Sequence, residues 1–247
     1  MRLLLTRPEP EATAMAQEVS HLGHEALVEP LLEYHSLDFD PAVLLDASAL
    51  IFTSSNGIRA LQERADIKAL QHLPILSVGA ETSRRALAAG FGSLAATAQT
   101  ARELAAKIAE LQPAPKRAVH VTGKHQAYDL AGTLAPQGVF LRTLNVYEMT
   151  ARQAFDPWLV DEFGKRAIDG AVLMSPRTAE VYISLCHRHA LLDRVKELQY
   201  FCIAPSVSSK LARIGAGFVH VAAKPERQAL LELLNPASRP KRFRERW

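Results

Sequence analysis

The chain has 247 residues, 29 Lys and Arg against 26 Asp and Glu, a formal charge of +3 and 48% apolar residues. That is room for one large domain or two of about 100–150 residues each, and it excludes disorder as the general state. Residues 237–247 hold five basic side chains and one acid, which is +4 and leaves −1 for residues 1–236, so the body of the chain is excluded as a basic nucleic-acid platform. Two cysteines, Cys186 and Cys202, are too few for a disulfide framework, and no stretch approaches the ~20 apolar residues of a membrane helix. The apolar run at Leu3-Leu4-Leu5 is too short for a secretory signal, so a soluble, cytoplasmic protein is expected. In chain order, a strand is predicted at 3–5. A helix follows with Ala12, Met15, Val19 and Leu22 on one face, then Gly23 and an extended run over 24–34. A strand at 49–52 leads through Thr53-Ser54-Ser55-Asn56 into a helix, and one at 75–78 leads through Gly79 into a helix stopped by Gly90. Leu104, Ile108 and Leu111 mark the next helix, with Thr100-Ala101-Arg102-Glu103 at capping-box spacing before it. A strand at 118–121 is followed by Thr122-Gly123, a helix, Gly138 and an extended run over 139–147. The last strands are 168–174, 200–203 and 218–221, with Gly215 as a helix stop. Strands alternating with helices predict βαβ units and mostly parallel sheets, an α/β fold.

Three segment types each occur twice, in the same order. Type A is a strand ending in Thr, at Thr6-Arg7 and Thr122-Gly123, offset 116. Type B is a strand running into Ser, at Ser54-Ser55-Asn56 and Ser175-Pro176-Arg177, offset 121. Type C is Val78-Gly79-Ala80-Glu81-Thr82 against Ile203-Ala204-Pro205-Ser206, offset 125. The order A-B-C-A-B-C predicts two similar α/β domains. They are either contiguous, divided near residue 115 at Pro113-Ala114-Pro115, or one is inserted in the other, with crossings near 34–37 and 147–150.

All six segments put small or hydroxyl residues at the carboxyl end of a strand before a helix, where open α/β sheets bind ligands. The first N–H groups of a helix lack internal partners and its dipole favours an anion, so two such rims turned to one cleft predict a bilobal site for a polyanion. Arg7, Lys124 and Arg177 directly follow strand ends and can grip carboxylates, whereas Arg84, Arg85 and Lys210 lie inside helical patterns and read as solvated faces. There is no P-loop, no G-x-G-x-x-G after a strand, no G-x-S-x-G, and no Cys/His set spaced for zinc. His35, His72, His120 and His125 are scattered and are assigned surface or loop roles. A catalyst that works by holding its substrate fits this inventory. A non-catalytic bilobal binding protein for a polycarboxylate is the alternative. The basic tail from 237, with Phe243 and Trp247, is expected to be a disordered, solvated end rather than a nucleic-acid site.

Leu5-Thr6-Arg7-Pro8, Phe52-Thr53-Ser54-Ser55-Asn56-Gly57, Val78-Gly79 with Thr82, Val146-Tyr147, Ser175-Pro176 and Ile203-Ala204-Pro205-Ser206 together resemble the uroporphyrinogen-III synthase family over roughly residues 1–235. The resemblance implies two parallel-sheet α/β domains, one inserted in the other and joined by a two-stranded β ladder. Domain one would hold 1–35 and 150–247, and domain two 37–148. It implies an enzyme, a cofactor-independent hydro-lyase that cyclises hydroxymethylbilane, a linear tetrapyrrole with eight carboxylates, to uroporphyrinogen III with loss of water and inversion of ring D. No metal or organic cofactor, nucleic acid or membrane is implied, and a monomer is expected. Carried onto this sequence, Tyr147 matches the tyrosine of the Val-Tyr motif and is the candidate proton donor. Thr6, Arg7, Ser54, Ser55, Asn56, Gly79, Thr82, Thr122, Lys124, Ser175, Arg177, Ala204 and Ser206 are the candidate substrate-binding residues. Ala204-Pro205-Ser206-Val207 departs from the family's usual Gly, then Thr or Ser and Thr, so that loop would act through backbone N–H groups, with Ser208 as a partial replacement.

Overall fold

Short apolar runs bounded by polar turns become fully buried strands, as at Leu3, Leu4 and Leu5, all 0% exposed. The computed structural model describes residues 1–235, and the expectation for the tail from 237 lies outside the described residues. Its strands are β1 (Arg2–Leu5), β2 (Glu25–Val28), β3 (Leu32–Ser36), β4 (Ala49–Phe52), β5 (Pro74–Val78), β6 (Ser93–Ala98), β7 (Arg117–Gly123), β8 (Phe140–Ala151), β9 (Gly170–Leu173), β10 (Gln199–Cys202) and β11 (Phe218–Val221). Its α-helices are α1 (Glu11–His21), α2 (Ala42–Leu45), α3 (Ser55–Arg64), α4 (Ile67–Leu70), α5 (Ala80–Ala88), α6 (Ala101–Glu110) and α7 (Leu130–Leu134), then α8 (Pro157–Gly164), α9 (Pro176–Arg188), α10 (Leu192–Val195), α11 (Pro205–Ser208) and α12 (Arg227–Leu234). None is long and apolar enough to cross a membrane.

The described chain divides into two compact units, Met1–Glu33 with the residues from Thr150 on, and Tyr34–Met149. The first unit's sheet runs β11-β10-β9-β1-β2 and the second β3-β8-β7-β4-β5-β6. Neighbouring strands pair in parallel through β2-β1-β9-β10-β11 and through β8-β7-β4-β5-β6. Setting β1 against β7, β9 against β4 and β10 against β5 makes the two orders match over five strands, with β3 added at the edge of the second sheet, so the repeat in the sequence is a repeat of topology. The chain leaves and re-enters the first unit along β3 and β8, which are neighbours in the second sheet.

Alternation along each strand builds a core on both faces of each sheet. Leu4, Ala171, Leu173, Tyr200 and Cys202 pack with Leu159 of α8 and Tyr182 of α9. Leu3, Leu5, Val172 and Phe201 pack with Met15 and Val19 of α1 and Leu230 and Leu234 of α12. In the second unit, Leu50, Phe52, Ile75, Val119 and Val121 meet Ile58 and Leu61 of α3, while Ala49, Ile51, Leu76 and Ala118 meet Leu104 and Ile108 of α6. The Thr100 hydroxyl caps α6 by accepting from Glu103 N at 3.1 Å, and the Glu103 carboxylate accepts from Gln99 N at 3.0 Å, one residue short of the usual box partner.

Several elements differ from the sequence-based expectation. The extended run over 24–34 divides into β2 and β3 around Glu29-Pro30-Leu31, because Pro30 has no N–H to give a ladder. The strand expected at 168–174 narrows to Gly170–Leu173. β6 has no counterpart among the expected strands. It is an edge strand whose first three side chains, Leu94 among them, are exposed, and its pairing with β5 makes it a strand. Neither type A strand leads straight into a helix. Arg7-Pro8-Glu9-Pro10 separates β1 from α1, and a loop over 124–129 separates β7 from α7, whose cap is Asp129.

Candidate functional site

In each sheet the strand order reverses between the type A and type B strands, β1 beside β9 and β7 beside β4. The carboxyl ends flanking such a reversal are where an open parallel sheet offers room for a ligand. The candidate residues sort onto these two rims, each a property of its own unit.

On the first unit's rim, Thr6 is fully buried and its hydroxyl donates to Val172 O at 3.2 Å, tying β1 to β9. Arg7 sits just beyond, with Nη1 3.3 Å from Met174 Sδ across the same junction. Ser175 is the N-cap of α9, accepting from Thr178 N at 3.0 Å and lying 2.7 Å from Thr178 Oγ1. Arg177 is half-buried in the first turn of that helix. Ala204 precedes α11 in extended conformation with no side-chain cap. α11 has only four residues and gives way to a 3₁₀ turn over Ser209–Ile214 that Gly215 closes, in place of the longer helix expected. Ser206 is exposed, and Ser208 donates its hydroxyl to Pro205 O at 3.1 Å.

On the second unit's rim, Ser54 caps α3 by accepting from Asn56 N at 3.2 Å, and Asn56 Nδ2 lies 3.6 Å from Met149 Sδ. Ser55 and Asn56 form the first turn of α3. Gly79 precedes α5 at φ 84°, a left-handed conformation open to glycine, whereas its repeat counterpart Ala204 is extended at φ −156°. The two type C turns have therefore diverged in backbone as well as in sequence. Thr82 is buried in the first turn of α5. Thr122 and Gly123 are also buried, so the accessible part of that strand end begins at Lys124. Tyr147 of β8 is paired in register with Gly123, and its carbonyl accepts from Lys124 N at 3.0 Å. Since β7 and β8 are parallel, that register puts Tyr147 level with the carboxyl end of β7.

Charge on these rims is largely engaged within the protein. Lys124 Nζ donates to Glu148 Oε2 at 2.7 Å and holds that carboxyl below the usual range, with His125 and His35 adding to the effect. Arg84 and Arg85 both pair with Glu81 on the surface of α5, and Lys210 pairs with Glu180 at 2.7 Å. Helix N-termini at Ser54 and Ser175 add a field that favours negative charge beside these side chains.

Two features of the second rim escaped the sequence. His120, assigned a surface or loop role, is 2% exposed in the middle of β7. Its Nε2 lies 3.0 Å from Thr53 Oγ1, bridging β7 to the end of β4, and its buried Nδ1 has no hydrogen-bond partner. Burial pushes the imidazole pKa from 6.5 down to about 4. Between those values the unfolded chain takes up a proton that the native one refuses, so stability is full above pH 6.5 and is lost as pH falls toward 4. Lowering pH from 7 to 5 is expected to cost roughly 2 kcal/mol through this group in urea denaturation, and His120→Gln should flatten that slope. An unchanged slope in the variant would assign the loss to other groups. The second feature is Tyr34, read only as the end of an extended run. It stacks on Tyr147 with ring centroids 5.8 Å apart and planes at 24°. A signal was present, because Tyr34 and Tyr147 end the two repeat-related extended runs.

The fold matches solved structures over nearly its whole length. Uroporphyrinogen-III synthetase from Helicobacter pylori 26695 aligns at 19% identity and a TM-score of 0.63, covering 94% of this chain and 98% of that one. A mutant uroporphyrinogen III synthase from the extremely thermophilic bacterium Thermus thermophilus aligns at 18% identity and a TM-score of 0.59, covering 95% and 96%. No curated protein matches the sequence. At such identities the structures carry the fold alone. The family model of uroporphyrinogen-III synthase HemD matches residues 13–232, and with that coverage the chain belongs to the uroporphyrinogen-III synthase family.

Proposed function

We propose that the chain converts hydroxymethylbilane to uroporphyrinogen III by the following division of labour. Family membership is the observation that carries the reaction and its substrate. The ring A hydroxymethyl C–O bond breaks as a proton from the Tyr147 phenol joins the departing oxygen, which leaves as water. The pyrrole nitrogen lone pair of ring A stabilises the resulting azafulvenium cation. Ring D attacks through its substituted α-carbon to give a spiro intermediate, which fragments and recombines at the free α-carbon. The hydrogen on that carbon leaves as a proton and restores the phenol, so the balance is substrate to product plus water.

Selecting this route over direct closure is a matter of geometry, and the rims supply groups suited to hold carboxylates. On the first unit these are Arg7, Ser175, Arg177 and the backbone at Thr6, Ala204 and Ser206. On the second they are Ser54, Ser55, Asn56, Gly79, Thr82, Lys124 and the backbone at Thr122. The register of Tyr147 with Gly123 supports Tyr147 as the acid. The two compact units support domain limits of 1–35 with 150 onward, and 37–148. A cytoplasmic monomer belongs to the same reading, and two buried cysteines outside any disulfide, Cys186 and Cys202, support its reducing compartment.

The test supplies purified protein with freshly made hydroxymethylbilane, oxidises the products and resolves the type I and type III isomers. Predominantly type III product is expected. Type I alone, from protein shown by circular dichroism to be folded, would sink the assignment.

A further inference from the structure

Tyr147 is held by Gly123 at the end of the type A strand and by neighbours that no rim motif contains. We infer that Gly123, Tyr34 and the Arg59–Glu63 pair form a positioning assembly for the Tyr147 ring, and that turnover depends on them through Tyr147. This rests on the reading of Tyr147 as the proton donor.

The assembly has two contacts with the ring. One is Gly123. A Cβ placed there would lie 2.7 Å from Tyr147 Cε2 and 2.8 Å from Cζ, so the edge of the ring rests against bare backbone at the last residue of β7. The other is the stack on Tyr34. Tyr34 is itself clamped. The Arg59 guanidinium carbon sits 4.0 Å from its ring centroid, and its hydroxyl donates to Glu63 Oε2 at 3.2 Å. Arg59 Nε donates to Glu63 Oε1 at 3.0 Å, which closes the triangle. Burial and the Glu63 carboxylate push the Tyr34 phenol up to about 12, so it stays a neutral donor at working pH.

Arg59 and Glu63 are one turn apart on α3, the helix whose first turn carries Ser55 and Asn56. One helix therefore presents a rim at its start and braces the acid from its flank. A tyrosine that only filled the core would need shape around it. A phenol that must meet a departing oxygen within hydrogen-bond reach needs its ring fixed in direction, which a bare-backbone edge and a clamped stacking partner provide. Tyr34 and Arg59 touch Tyr147 or its neighbour rather than a reacting atom, so they are positioning residues.

The experiment uses the full chain, steady-state kinetics on hydroxymethylbilane, and each change made in both the wild-type and Tyr147→Phe backgrounds. In the wild type, Tyr34→Leu and Gly123→Ala are expected to lower kcat about tenfold with KM changed less than about twofold. Tyr34→Phe, which keeps the stack, should stay within about threefold of wild type. In the Tyr147→Phe background the same changes should cost less than about twofold, since the group they position is gone. Equal losses in both backgrounds, or losses confined to KM, overturn the inference and assign these residues to folding or binding. Full activity of Tyr147→Phe instead overturns the proton-donor reading itself, and with it this inference. If Gly123→Ala does not fold, the comparison of Tyr34→Leu with Tyr34→Phe decides alone.

Discussion

Tyr147→Phe is expected to fold normally and to lose about 10²-fold or more in kcat, with KM close to wild type. The ring is 8% exposed and stacked on Tyr34, and Phe keeps both the volume and the stacking face. What disappears is one hydroxyl. If it delivers the proton that lets the ring A oxygen leave as water, the change acts on the chemical step and spares the carboxylate contacts that set binding. A second readout follows from the competing chemistry. Substrate that the enzyme no longer converts closes unassisted to the other isomer, so the fraction of type I product should rise with the loss of kcat. Unchanged kcat with unchanged isomer ratio would remove Tyr147 from the mechanism and leave the rims acting by positioning alone.

The sequence made the strands and rims legible where burial enforced a simple pattern. β4 and β11 match the expected 49–52 and 218–221 because a four-residue strand between polar turns leaves few alternatives. The repeat was legible for a similar reason. Thr6 and Thr122, Ser54 and Ser175, and Gly79 and Ala204 occupy equivalent ends of equivalent strands. Three things were not legible. β6 owes its state to its neighbour, since Ser93-Leu94-Ala95-Ala96-Thr97-Ala98 has neither alternation nor β-branched density. His120 looked like any histidine between valines, and only the fold shows that it bridges to Thr53. The clamp on Tyr147 joins residues 34, 59, 63 and 123, and periodicity within a segment says nothing about contacts between segments. The charge count changes meaning in the same way. A body of charge −1 suits a carboxylate-binding protein once Lys124 is seen paired with Glu148 and Arg84 and Arg85 with Glu81, because helix N-termini never enter a charge total.

Arg152→Gln is expected to destabilise the first unit by roughly 2–4 kcal/mol, lowering its Tm on the order of 5–10 °C. Glu29 follows β2, and its carboxylate is only 1% exposed. Its Oε1 accepts from Arg152 Nη1 at 2.9 Å and from Asp156 N at 2.8 Å, while Arg152 also grips Asp156. The surrounding backbone wraps the end of β1, with Glu29 N donating to Leu5 O at 2.9 Å and Leu31 N to Thr6 O at 3.3 Å. Arg152 N donates to Leu31 O at 3.1 Å, so the pair fastens the segment beneath the Thr6–Arg7 rim. Removing the guanidinium strands a buried carboxylate, which costs more than the pair itself contributes. Burial already raises the Glu29 pKa above 4.5, and loss of the attraction to Arg152 raises it further. Between the unfolded value and that higher native value, the folded state holds a proton that the unfolded state has released, so stability falls as pH rises through the window. The deficit of Arg152→Gln should therefore be larger at pH 8 than at pH 5 in urea denaturation. Adding Glu29→Gln removes the stranded charge and should recover most of the loss, since a neutral amide can still accept from Asp156 N. A deficit independent of pH, and untouched by Glu29→Gln, would show that Arg152 acts through packing and its bonds to Asp156 rather than through the buried acid.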